Sequence, residues 1–165
     1  MTFFRIKKIK GKEYAYVVEN YWRKKGSRQK VIGYLGRTYK FELKNNVEFL
    51  EHYNIEDLQS YIEMNKKNKI IKDLVEWELF KFGINKEGFH VDFDNTKILK
   101  NKKNVVLAIN EGYLCSLSFK NLIAFKIEND EQQDGYRFAR AFVEAGIKVP
   151  QDIFVALFGK LYKAQ

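Results

Sequence analysis

The chain is poor in the residues on which most small-protein chemistry depends. Its single cysteine, Cys115, cannot close an internal disulfide, and its place in the apolar run Tyr113-Leu114-Cys115 marks it as a small buried hydrophobe rather than a nucleophile. The two histidines, His52 and His90, lie in different segments without a Cys or His partner at ligand spacing, so a zinc site is not indicated and both read as structural. Gly11, Gly26, Gly33 and Gly36 are turn or strand glycines and none belongs to a glycine-lysine-serine phosphate loop, which argues against nucleotide hydrolysis. No window approaches the roughly eighteen uninterrupted apolar residues of a membrane span, and the start, charged from Arg5 onward, lacks the apolar region of a signal peptide. The expectation is a folded, soluble protein of the cytoplasm with no membrane partner and no implied cofactor. No internal repeat is visible.

What is present is charge, unevenly placed. Residues 1–40 carry 12 Lys+Arg against Glu13 and Glu19, a net of +10, while residues 41–165 carry 18 Lys+Arg against 19 Asp+Glu, a net of −1. The whole +9 of the 165-residue chain therefore comes from its first quarter. Codon bias toward lysine would spread along the chain and would not gather Arg5, Arg23, Arg28 and Arg37, four of only six arginines, in one module. Charge of one sign so concentrated points to a polyanion or an acidic surface.

The basic stretch alternates with period two and is punctuated by Lys10-Gly11-Lys12 and Lys25-Gly26-Ser27, which predicts a three-stranded antiparallel meander. Strict alternation sorts its residues onto two faces. One holds Phe4, Ile6, Ala15, Val17, Val31 and Leu35; the other holds Arg5, Lys7, Tyr14, Tyr16, Lys30 and Tyr34, with Val18 and Ile32 in the same alternation. Cations among flat rings suit a nucleic acid, the cations neutralising phosphates while the rings stack on bases. The candidate nucleic-acid-binding residues are thus Arg5, Lys7, Lys10, Lys12, Tyr14, Tyr16, Arg23, Lys24, Lys25, Arg28, Lys30, Tyr34 and Arg37. Strands favour tyrosine for packing as well, and a sheet covered by later helices would bury the same rings.

The run R-I-K-K-I-K-G-K-E-Y-A-Y-V-V-E-N, a basic turn, and then R-Q-K-V-I-G-Y-L-G-R resembles the N-terminal segment of some DDE-type transposases of bacterial and archaeal insertion elements. It is also similar to the opening of small uncharacterised archaeal proteins. The resemblance covers residues 4–37 and is most specific at Lys10-Gly11-Lys12-Glu13-Tyr14 and Tyr34-Leu35-Gly36-Arg37. It implies an accessory role in nucleic-acid binding without transposition, since the catalytic domain of those enzymes is far longer than the stretch from residue 41 to residue 165.

Beyond Phe41 the texture becomes helical. Asn45-Asn46 is expected to cap a helix through Tyr53, Asn54 to restart one carrying Leu58 and Ile62, and Asn65-Lys66-Lys67-Asn68-Lys69 either to break it or to lie on its solvated face, the asparagines favouring a turn. Ile70–Phe82 has the spacing of a widely buried helix that Gly83 stops. Strand texture returns in residues 84–116, where Val105–Ile109 reads as a buried central strand. Ser118 is expected to cap Phe119–Lys126; the acidic loop Glu128–Gln133 comes next. Asp134 is expected to cap Gly135–Ala145, and Pro150 to open a final helix.

Weaker chemistry exists in this part. Asp92 and Asp94 share one side of a strand and, with Glu111 or Asp134, could hold a divalent metal for nuclease chemistry, although paired carboxylates are also an ordinary way to keep an edge soluble. Arg140 and Glu144 are spaced as a surface pair, leaving Arg137 as a phosphate contact. The fold class expected is α+β: a basic antiparallel β module over 1–41, a helical connector over 42–83, and a compact α+β body over 84–165. The function expected is non-enzymatic nucleic-acid binding, with RNA favoured over DNA in the absence of any helix-turn-helix, zinc finger or basic helix, as in a ribosome-associated or RNA-processing factor. Residues 84–165 would meet protein or ribonucleoprotein. The alternatives are a DNA-binding protein derived from a mobile element, an adaptor with an acidic protein partner, and a metal-dependent nuclease.

Overall fold

The structure, a computed structural model, describes residues 2–84, 88–128 and 130–164, so Asn129 of the expected acidic loop lies outside it. The basic stretch forms β1 (Thr2–Ile9), β2 (Lys12–Arg23) and β3 (Gly26–Lys40), paired antiparallel as a meander. Lys10 and Gly11 turn between the first two at φ 51° and 80°, the left-handed pair that matches strand twist in a two-residue hairpin.

These strands do not make a sheet of their own. The C-terminal end of β3 runs parallel to β6 (Lys103–Ile109), from Arg37 opposite Val105 to Lys40 opposite Ala108. Among the described residues the result is one seven-stranded sheet, ordered β1-β2-β3-β6-β5-β4, with β4 at Phe89–Asp92, β5 at Lys97–Lys100, and β7 (Gly112–Leu114) also paired to β6. The three-stranded sheet expected from the sequence is therefore corrected to one end of a larger one, within an α+β protein. The reason is that β6 is apolar on both sides and needs both edges covered, while parallel pairing requires a long crossover whose destination local patterning does not reveal. Gly36 permits the junction. It sits at φ 133°, and a Cβ there would overlap the Asn104 carbonyl.

Among the described residues six helices accompany the sheet: α1 (Phe49–His52), α2 (Leu58–Met64), α3 (Lys67–Lys81), α4 (Ser116–Ala124), α5 (Glu131–Glu144) and α6 (Gln151–Lys163). Their starts differ from the sequence reading. Asn45 caps nothing, its amide donating instead to the Phe80 carbonyl at 2.9 Å, and Asn54 takes a left-handed φ of 52°. Asp57 caps α2 through Gln59 N–H, and Asp130, not Asp134, caps α5 through Gln133 N–H at 2.9 Å. The Lys-Asn run does end α2, at Met64 with Asn65 extended, but α3 begins within it at Lys67, and Cys115 with Ser118 forms the capping box of α4.

The sheet is buried on both sides near its centre. Val105, Leu107 and Ile109 join the large core with Ile70, Ile71 and Leu74 of α3 and Phe138 and Phe142 of α5. Val106, on the other side of β6, packs with Ala15 and Cys115 in a smaller core flanked by Phe4, Ile6, Leu35, Tyr113 and Leu117. The buried reading of Cys115 agrees with this, and burial pushes its thiol pKa up.

Two bulges revise the face assignment. The β2–β3 ladder shifts register between Ala15 and Tyr16 and again between Val17 and Val18, leaving Leu35 and Ile32 as extra residues in β3. Each extra residue reverses the alternation of β3 relative to β2. Val31 consequently pairs with Val18 and is 44% exposed, not buried on the Phe4 face, whereas Val18 is fully buried. Lys30 pairs with Glu19 and so falls on the Val17 side, away from the tyrosines with which it was expected.

Candidate nucleic-acid interface

Register places a compact set of rings and cations on one side of the meander. Arg5, Tyr16 and Tyr34 lie abreast across β1, β2 and β3, and Lys7, Tyr14 and Arg37 form the next row. Tyr34 is the hub: its ring centroid is 5.2 Å from Tyr16 and 6.5 Å from Tyr14. Burial and the neighbouring tyrosines hold its hydroxyl above the usual phenol pKa. Lys7 Nζ sits 4.8 Å over the Tyr16 ring, and Arg5 donates to Gln29 Oε1 at 2.9 Å. Tyr14 and Tyr16 are half-buried, but Tyr34 is 59% exposed, so its ring is open to a ligand.

The remaining cations gather at the two ends of β2. Lys10 lies in the β1–β2 turn and Lys12 at the start of β2, while Lys24 and Lys25 make the β2–β3 turn between Arg23 at the end of β2 and Arg28 near the start of β3, all of them exposed. With 12 residues between these turns, the two groups stand on the order of 35 Å apart at the usual rise per strand residue. A ligand touching both must be extended, with the tyrosines between its ends.

Three contributors escaped the sequence reading. Tyr39 comes two residues after Arg37 on the same side of β3, with the Arg37 guanidinium 4.7 Å from its ring. Lys100 of β5 lies 4.7 Å over Tyr39 and 4.6 Å over Phe89, and is brought there only by the β3–β6–β5 pairing. Trp22, in the outer part of β2, is 83% exposed. It continues the Tyr14, Tyr16 alternation, and that signal was visible in the sequence.

The other candidates are dispersed or committed elsewhere. Asp92 accepts from the backbone and side-chain amides of Asn95, closing the turn after β4, and these bonds hold its pKa below the carboxylate range. Glu111 lies in the β6–β7 turn, while Asp134 is buried in α5 and paired with Arg137. Among the described residues no three His, Cys, Asp or Glu side chains stand together as a metal site. Arg137 also faces Glu128 at 3.5 Å, and Arg140 pairs with Glu144 at 2.8 Å. His52 and His90, distant in sequence, line one open cavity of about 390 Å³ with Glu76, Phe80 and Phe93, where His52 packs 4.5 Å from the Phe80 ring. Among the described residues no helix is long and apolar enough to cross a membrane.

No family model, no curated protein and no solved structure matches the chain.

Proposed function

We propose that the protein binds nucleic acid, RNA in preference to DNA, through the outer end of its sheet and without performing chemistry on it. The observation that carries this reading is the row Tyr16–Tyr34–Tyr14 set among Arg5, Lys7 and Arg37, with the Tyr34 ring open on a sheet surface. Each component answers to a different part of the ligand: the guanidinium and ammonium groups to phosphates, the phenol rings to base or sugar faces. The resemblance of residues 4–37 to the accessory segment of transposases supports the same class of ligand. RNA is preferred because a surface of rings and point charges suits exposed bases and backbone shape better than groove-edge readout.

The test is titration of labelled single-stranded RNA and DNA of equal length at several salt concentrations, read by anisotropy. If about five phosphates are neutralised, log affinity falls with log salt at a slope near −4, and RNA binds more tightly than DNA. Affinity indifferent to salt between low and physiological concentrations removes the reading. Equal affinity for the two polymers removes the preference for RNA.

A further inference from the structure

The last lateral partner of β1 is Glu19, opposite Thr2, and β6 pairs with β3 only from Arg37 onward. Asn20–Arg23 and Gly26–Gln29 therefore form a two-stranded ribbon beyond the rest of the sheet, with no third strand among the described residues. Such a ribbon has no core of its own. It nevertheless carries one of the chain's two tryptophans. Trp77 is the ordinary case: 4% exposed, donating Nε1–H to the Val47 carbonyl at 2.9 Å. Trp22 buries almost nothing, and an indole is the side chain with most to gain from being covered. Lys24 and Lys25 follow it in the turn, both exposed, while Arg23 and Arg28 are exposed on the other side of the ribbon, where Arg23 leans over the Tyr21 ring at 5.2 Å.

We propose that this ribbon is a stacking arm, in which Trp22 lays its indole on an unpaired nucleobase while Lys24 and Lys25 of the adjoining turn hold the flanking phosphates. The inference rests on the nucleic-acid reading above and narrows it to strands whose bases are free. Charge complementarity selects a polyanion. The indole selects the unpaired base, since in a duplex base faces are closed by their own stack and a flat ring gains little there. Trp22 shares the alternation of Tyr14 and Tyr16 in β2, so its ring extends the same track by six residues, roughly 20 Å at strand rise.

The experiment compares oligouridine with an RNA duplex of matched length, using wild type, Trp22→Ala, Trp22→Phe and Lys24→Gln/Lys25→Gln. Trp22→Ala is expected to lower affinity for oligouridine about 5- to 150-fold, the loss of one stacked base, while leaving duplex affinity and the salt slope unchanged. Trp22→Phe recovers part of the loss, and the lysine variant weakens both ligands and flattens the slope. Oligouridine also protects wild-type emission from acrylamide, because Trp77 is already shielded. If Trp22→Ala is silent, or weakens both ligands alike, while salt-dependent binding persists, the stacking arm is wrong and the nucleic-acid reading stands. If neither RNA binds, both fall. A blue shift of Trp22 emission with phosphatidylserine vesicles and none with RNA overturns the inference in favour of a lipid surface.

Discussion

Tyr34 and Val18 lie in the same patch of sheet and differ in what each can lose. Val18 is fully buried in the central strand, and Val17 is 9% exposed on the opposite side. Truncating either to Ala removes buried methyl groups and leaves a small void, a cost of about 1–2.5 kcal/mol. For a chain of this length that lowers Tm by about 2–4 °C per kcal/mol. Tyr34 has more than half its surface in water, so Tyr34→Ala forfeits chiefly its tilted ring contacts with Tyr16 and Tyr14, under about 1 kcal/mol. Its effect on affinity should be the larger one, about 1–3 kcal/mol if the ring stacks on a base. Val31→Ala serves as the control that the bulge makes available: exposed at 44%, it should change stability by no more than about 0.5 kcal/mol. Urea unfolding and RNA anisotropy on the same four variants check both axes. The reasoning is refuted if Tyr34→Ala lowers stability as Val18→Ala does and leaves affinity intact, for the rings would then be core and the cations would act only from the turns.

Glu78 is fully buried, where it accepts from Lys148 N–H at 2.9 Å and Asn110 Nδ2 at 3.2 Å and pairs with Lys81 at 3.2 Å; burial raises its pKa. A carboxyl whose pKa is higher folded than unfolded favours the native state at low pH and loses that contribution as pH rises from the ordinary carboxylate value through the raised one. Glu78→Gln should flatten this part of the urea-midpoint profile, and parallel profiles for the two proteins would contradict it. Gly36→Ala forces a side chain into a left-handed position against the Asn104 carbonyl, and should destabilise by roughly 2–5 kcal/mol; an unchanged unfolding midpoint would show that the junction yields easily. Thr38 Oγ1 is buried with no partner among the described residues, so Thr38→Val, which keeps the shape and deletes the hydroxyl, should leave Tm unchanged or raise it. A fall in Tm would reveal a hydrogen bond that the fold conceals.

The amino-acid sequence by itself determined the meander and the chemistry of its surface, because both follow from local rules. Alternation of apolar and polar residues sets the strand period, Lys10-Gly11 supplies the left-handed turn, and the crowding of cations before residue 41 is a matter of counting. The buried run Val105–Ile109 was legible for the same reason. Only the tertiary structure decided where that run would find its partner. Parallel pairing of β3 with β6 joins segments that, among the described residues, are separated by three helices and two strands, and neither strand carries a local mark of the other. That pairing merged the basic sheet with the body and carried Lys100 and Phe89 to Tyr39. The bulges at Leu35 and Ile32 were equally hidden: an extra residue is invisible until the opposite strand is in place, yet each reverses the alternation between the residues on its two sides, and the one at Ile32 is why Val31 and Lys30 do not keep step with Tyr34.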